Sequence, residues 1–196
     1  MIEKMRPYSS MILEPVGKKL SFINPDYISI AAFIAAILAG FYFYNGLLIL
    51  GIIFTLLNGF LDVLDGKVAR ARPKINGTGL FIDHTLDRLC DMAIIIGISL
   101  SPYCPPYLGV ILIFLTFIIS YLGTLGIVLD VGKISGGLVS RADRVSMFVI
   151  SAILQLNFDK LYGRYIFEWC IIVMCILSLI TIFQRFFQIL RGIDDN

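Results

Sequence analysis

Residues 62–87 read DVLDGKVARARPKINGTGLFIDHTLD, which sets Asp62, Asp65, Asp83 and Asp87 at the edges of two segments otherwise apolar enough to cross a bilayer. Ionised side chains at membrane depth are costly unless they are paired, hydrated or bound to metal. Four carboxylates held this close together therefore imply a use for them. Their setting also decides the fold: the flanking segments are spans, and the charges mark where two of them end.

Outward from this stretch the chain stays apolar. Of its 196 residues 58% are hydrophobic and only 15% are charged, against about 25% charged in a soluble domain. A spanning helix needs about 20 mostly apolar residues. Six segments meet that need, at 25–44, 47–70, 79–99, 106–129, 142–158 and 164–190. Asn24-Pro25 is a helix start with proline at its first position. Gly77 and Gly79 mark the loop between the second and third segments. Pro102, Pro105 and Pro106 break the chain before the fourth, and Gly132, Gly136 and Gly137 mark the loop before the fifth. The expectation is an all-α integral membrane protein forming one domain over 1–196. In it, 25–190 make a six-helix bundle and 1–22 an amphipathic helix on the membrane surface.

Positive charge orients the chain. With six spans both termini share a side, and that side collects all but Lys160 and Arg164 of the 16 lysines and arginines. Both termini and the aspartates are thus expected at the cytoplasmic face of a cell membrane. A net charge of +2 without a basic tract gives no reason to expect nucleic acid. The N-terminus lacks the uninterrupted apolar run of a signal peptide. Cys90, Cys104, Cys170 and Cys175 lack metal-type spacing, and the three that lie in apolar stretches read as buried thiols.

On a helix, positions i and i+3 or i+4 share a face. Asp62 and Asp65 share one, and Asp83, Asp87 and Asp91 another, so two antiparallel helices can turn four carboxylates into one cleft. Like charges there repel, and divalent cations remove the penalty. With His84 and Cys90 isolated, ligation is chiefly by oxygen, which favours a hard ion such as Mg²⁺ over zinc. His84 is turned about 100° from Asp83 and leaves the acidic face. A pair of ions held by carboxylates is a clamp for phosphoryl chemistry. Gly66 and Ala69 leave room for a substrate near the helix backbone, and Gly79 lets the two helix ends come together. Arg70 suits a phosphate oxygen.

These residues resemble the CDP-alcohol phosphotransferase signature D-x2-D-G-x2-A-R-x8-G-x3-D-x3-D, met here at all eight fixed positions. The resemblance implies transfer of a phosphatidyl-type group from a CDP-linked lipid to an alcohol, with release of CMP. It assigns two ions, Mg²⁺ or Mn²⁺, to Asp62, Asp65, Asp83 and Asp87, with Asp87 also the general base. Gly66, Ala69, Arg70 and Gly79 become the CDP-binding surface. It further implies a homodimer, and its archaeal flavour suggests archaeol tails, with diacylglycerol still open.

A second constellation lies at 136–144, GGLVSRADR. Arg141 and Arg144, at i and i+3 on a helix N-terminus, make a phosphate site. The stretch is similar to family members that use a polyol phosphate, inositol-phosphate enzymes above all. Because Ser120-Tyr121 is followed by the uncharged Leu122-Gly123-Thr124-Leu125, glycerol phosphate stays open beside inositol 1-phosphate. A non-phosphorylated alcohol would leave the two arginines little to bind. An intramembrane prenyltransferase is a rival reading, since Asn58-x-x-x-Asp62-x-x-Asp65 resembles half of an aspartate-rich motif. That reading requires a second acidic motif in the distant half of the chain. A divalent-cation pathway is another rival, and it requires polar positions that segments four to six scarcely offer.

Overall fold

The computed structural model describes residues 19, 24–71, 77–132, 134, 137–138 and 140–194. The surface segment expected over 1–22 lies outside these residues apart from Lys19, as does Gly136. Among the described residues six helices carry the chain from Pro25 on: α1 (Pro25–Tyr44), α2 (Leu48–Arg70), α3 (Gly77–Ser99), α4 (Pro106–Val128), α5 (Arg141–Asn157) and α6 (Ile166–Asp194). A two-stranded hairpin, β1 (Lys160–Leu161) and β2 (Arg164–Tyr165), precedes α6. Among the described residues α1, α2, α4 and α6 are long and apolar enough to cross a membrane. The remaining two expected spans are helical but do not meet that measure. α3 bears Asp83, Asp87 and Arg88 in its first half and Asp91 just past its middle, and α5 has only 17 residues, with Arg141, Asp143 and Arg144 in its first turn.

The chain divides into two compact units, residues 1–102 and 103–196. In the first, α1 is the central helix and packs on both α2 and α3. Its start follows from sequence: Pro25 opens the helix, and the Asn24 side chain accepts the Asp26 N–H at 3.3 Å. Its buried face is made of small residues, Ala32, Ala35, Ala36, Ala39 and Gly40, which lets neighbours approach closely. Gly40 meets Gly97 of α3 there, and a Cβ on either would run into the other helix's backbone. Phe43 lies over Gly51 in the same way, across the turn to α2. A buried Asn58 side chain donates to the Ala32 carbonyl at 2.9 Å, which satisfies an amide that would otherwise be costly at this depth.

Gly77 and Gly79, expected in the loop, instead lie in the first turn of α3. The first N–H groups of a helix lack intrahelical partners in any case, so these glycines give up little by being helical there.

In the second unit α6 packs against α4 and α5. A capping box starts α5: Ser140 Oγ accepts from the Asp143 N–H at 3.3 Å, and the Asp143 carboxylate accepts from the Ser140 N–H at 3.0 Å. The hairpin turns on Tyr162 (φ 51°) and Gly163 (φ 79°), two consecutive left-handed residues that match the twist of a tight hairpin. Arg164 pairs with Glu168, and Trp169 Nε1 donates to the Leu161 carbonyl at 2.9 Å. α6 runs for 29 residues, about 43 Å. All four cysteines are free. Burial, with the nearby Glu168 carboxylate, pushes the Cys104 thiol up to about 12, as suits an inert packing residue.

Gln155 ties this end of the unit together. Its buried amide donates to the Phe158 and Asp159 carbonyls at 3.0 and 2.9 Å and accepts the Ile166 N–H at 2.7 Å. Gln155→Leu strips a partner from four backbone groups at once, the Phe167 N–H at 3.4 Å among them. It is expected to destabilise the protein by about 2 kcal/mol, since each abandoned buried group costs about 1–3 kcal/mol before water relieves some of them. Thermal unfolding of the detergent-solubilised variant measures this.

Candidate metal centre

The site assembles in the first unit, where the last turns of α2 and the first turns of α3 lie beside the start of α1. Asp62 and Asp65, three apart on α2, turn the same way, and α3 brings Asp83 to them. One carboxylate oxygen from each of the three lies within 4.8 Å of the others. A second group shares Asp83: it joins oxygens of Asp83 and Asp87 with a ring nitrogen of His84, again all within 4.8 Å of one another. The four aspartates expected to converge are thus linked through Asp83. His84 was expected to leave the acidic face, and here it stands beside it. The 100° step between neighbouring helix positions fixes where Cβ points, but the imidazole extends beyond Cβ, and His84 is also three residues from Asp87, a spacing that shares a face.

The donors sit in graded environments. Asp65 is buried, Asp62, Asp83 and Asp87 are half-buried, and His84 is exposed. Beneath Asp65 lies a small apolar cluster of Ile28, Leu64 and Val68. Ser29 of α1, which sequence reading missed, donates its hydroxyl to Asp65 Oδ2 at 2.8 Å and so fixes that carboxylate's orientation. No sequence signal marks Ser29, because its partner lies 36 residues away. Arg88 approaches Asp87 at 3.8 Å, a loose ion pair on a half-exposed face. Asp91 is buried one turn deeper on α3.

Arg70 folds back along its own helix, its Nε donating to the Gly66 carbonyl at 2.8 Å. The space expected above Gly66 is bordered by that guanidinium, with Nη2 3.4 Å from where a Cβ would stand. Ala69 is half-buried beside it. Gly79 was expected to let the ends of α2 and α3 meet. The described neighbour it admits belongs to α1 instead: Asp26 Oδ1 would lie 3.4 Å from a Cβ there.

Arg141 and Arg144 belong to the second unit. Arg141 is half-buried at the first position of α5, and Arg144 is buried one turn on. Gly137 (φ 133°) is packed on Thr181 of α6, and the Leu138 N–H donates to Thr181 Oγ1 at 3.1 Å. The cavity at this loop is lined by Gly137, Leu138, Gln184, Phe187, Gln188 and Arg191, without either arginine of α5. Arg185, which sequence reading used only in counting charge, reaches across to α4. Its Nη1 donates to the Ile119 carbonyl at 2.7 Å, in space that Gly123 leaves open.

Donor chemistry fits a divalent ion. Three carboxylates gathered this closely repel one another, and carboxylate oxygens are the ligands that Mg²⁺ and Mn²⁺ prefer. In an octahedral site neighbouring ligands lie about 3 Å apart and opposite ones about 4.2 Å, so either group would draw together around an ion.

Comparison with known proteins agrees with this chemistry. The CDP-alcohol phosphatidyltransferase family matches residues 22–183. The archaetidylinositol phosphate synthase of Pyrococcus horikoshii is 31% identical over 196 residues, covering 99% of both chains. The enzyme of the same name from Methanothermobacter thermautotrophicus is 31% identical over 189 residues, covering 94% of this chain and 92% of its own. Among solved structures, Mycobacterium tuberculosis phosphatidylinositol phosphate synthase with CDP-DAG bound superposes with a TM-score of 0.76 at 22% identity, covering 91% and 94% of the two chains. Its complex with manganese and citrate gives 0.75 at 21%, covering 90% and 88%. These likenesses establish a shared fold.

Proposed function

The chain belongs to the CDP-alcohol phosphatidyltransferase family, a family of metal-dependent membrane enzymes, and from that premise we propose that it transfers the lipid phosphate of a CDP-lipid to inositol phosphate and releases CMP. The observation that carries this reading is the pair of donor groups sharing Asp83, set within the full family signature. The 31%-identical relatives are named for archaetidylinositol phosphate. That supports inositol phosphate over glycerol phosphate, and archaeol over diacylglycerol tails.

In this reading Asp62, Asp65 and Asp83 would hold one ion, and Asp83 with Asp87 would hold a second. Both are Mg²⁺ or Mn²⁺, which when bound neutralise the diphosphate and the departing CMP. Ser29 keeps Asp65 turned inward. Gly66, Ala69, Arg70 and Gly79 form the surface that receives CDP, with Arg70 released from the Gly66 carbonyl to meet phosphate oxygen. Arg141 and Arg144 hold the acceptor's phosphate. The acceptor hydroxyl oxygen attacks the lipid-bearing phosphorus, and the bond from that phosphorus to the CMP oxygen breaks. The hydroxyl proton passes to the Asp87 carboxylate and then to water. The protein is a homodimer of six-span chains in this scheme, with the acidic site and both termini facing the cytoplasm. The one-sided placement of basic residues supports that orientation.

A panel of inositol 1-phosphate, glycerol phosphate, serine and free inositol, each with one CDP-archaeol donor, tests the assignment. Inositol 1-phosphate is expected to give the fastest CMP release. Arg141→Ala is expected to slow it about ten- to hundredfold, the loss of one charge-assisted phosphate contact, while leaving the slow hydrolysis of the donor by water unchanged. Equal loss of both rates would make the arginine structural, and preference for a non-phosphorylated acceptor would overturn the substrate assignment.

A further inference from the structure

The two donor groups around Asp83 differ in kind. Asp62, Asp65 and Asp83 offer oxygen alone, whereas the second group adds a ring nitrogen of His84 within 4.8 Å of oxygens from Asp83 and Asp87. His84 is exposed, so water was free to solvate its imidazole, yet the ring lies alongside two carboxylates. The helix makes this possible. Asp83 and Asp87 are one turn apart, and His84 and Asp87 are three residues apart, so all three side chains can border one point above the α3 surface.

Resting on the two-ion reading above, the geometry points to His84 as a direct nitrogen ligand of the ion held by Asp83 and Asp87. This makes the two ion positions chemically unequal. The all-oxygen position suits a hard ion such as Mg²⁺. The mixed position favours a borderline ion such as Mn²⁺, because imidazole raises affinity for first-row transition metals over Mg²⁺. His84 thereby sets metal preference at one position and leaves the other untouched.

His84 is the single histidine of the chain, so any imidazole bound to metal can come from nowhere else once a purification tag is cleaved. The test is pulsed electron paramagnetic resonance of Mn²⁺ titrated into the full-length protein in lipid nanodiscs, prepared with ¹⁴N- and ¹⁵N-histidine. Directly coordinated histidine nitrogen, switching with the isotope, is the expected result. His84→Gln is expected to abolish that coupling and to weaken one of the bound ions by about ten- to hundredfold or more, since even outer partners of a metal site are worth that much. It should also narrow the gap between Mn²⁺ and Mg²⁺ affinities. The wild-type spectrum decides the matter even if the variant fails to fold. Bound Mn²⁺ without nitrogen coupling would overturn the role of His84 and leave the carboxylate clamp standing. Absence of any bound Mn²⁺ in the wild-type protein would overturn both.

Discussion

Asp83→Asn is expected to lower CMP release by about a thousandfold or more, and to do so more severely than the same change at Asp62, Asp65 or Asp87. Among the described residues Asp83 alone belongs to both donor groups, so its loss weakens two ion positions where the others weaken one. A thousandfold corresponds to about 4 kcal/mol of transition-state stabilisation, within what metal-assisted phosphoryl chemistry supplies. The amide keeps the shape of the side chain and removes its charge, so folding should survive. Metal-free protein should unfold at the wild-type temperature, while the number of Mn²⁺ ions bound at a fixed concentration should fall. An Asp83→Asn enzyme that kept a tenth of its turnover would mean that the shared carboxylate is a bystander.

The second large effect falls on packing. Gly97→Val is expected to destabilise the protein by about 3 kcal/mol or more, the upper range for forcing bulk into a filled core. A Cβ at Gly97 meets the Gly40 backbone, and one at Gly40 meets the Ala93 carbonyl. Backbone atoms cannot rotate away as a side-chain tip can, so α1 and α3 must separate. By the scaling of soluble domains this lowers the unfolding temperature by roughly 6–12 °C. The damage should reach the chemistry too, because α1 carries Ser29 and α3 carries Asp83 and Asp87. Activity lost together with thermal stability would separate this variant from Asp83→Asn. A Gly97→Val protein that melts normally would show that the crossing is looser than described.

Much of this fold was legible from composition and punctuation. The six helices lie within a few residues of the expected segments, because long apolar runs between Pro25, the Gly46 turn, Pro106 and Gly137 leave the chain few alternatives. The aspartates were legible for a similar reason: carboxylates at helical spacing share a face wherever the helix goes. What remained hidden depends on contacts between distant residues. Ser29 orients Asp65 from another helix, Asp26 is the neighbour of Gly79, and Arg185 fills the space at Gly123. The hairpin at 160–165 escaped because its turn places Tyr162, a residue that rarely adopts left-handed backbone, ahead of Gly163. His84 was misjudged because its Cβ direction was taken for the direction of its ring.

The length of α6 bears on where this protein works well. A bilayer's hydrocarbon is about 30 Å thick, and tilts of up to about 40° stretch the path through it to only about 39 Å. A helix of 29 residues, about 43 Å long, exceeds even that path by about 4 Å, and at the average tilt of about 20° it does so by about two turns, so its end turns extend beyond the lipid tails. Hydrophobic mismatch should then tune the enzyme: thicker membranes draw those turns inward and thinner ones tip the helix over. Reconstitution into vesicles of graded acyl length would reveal this as an optimum in rate at one bilayer thickness.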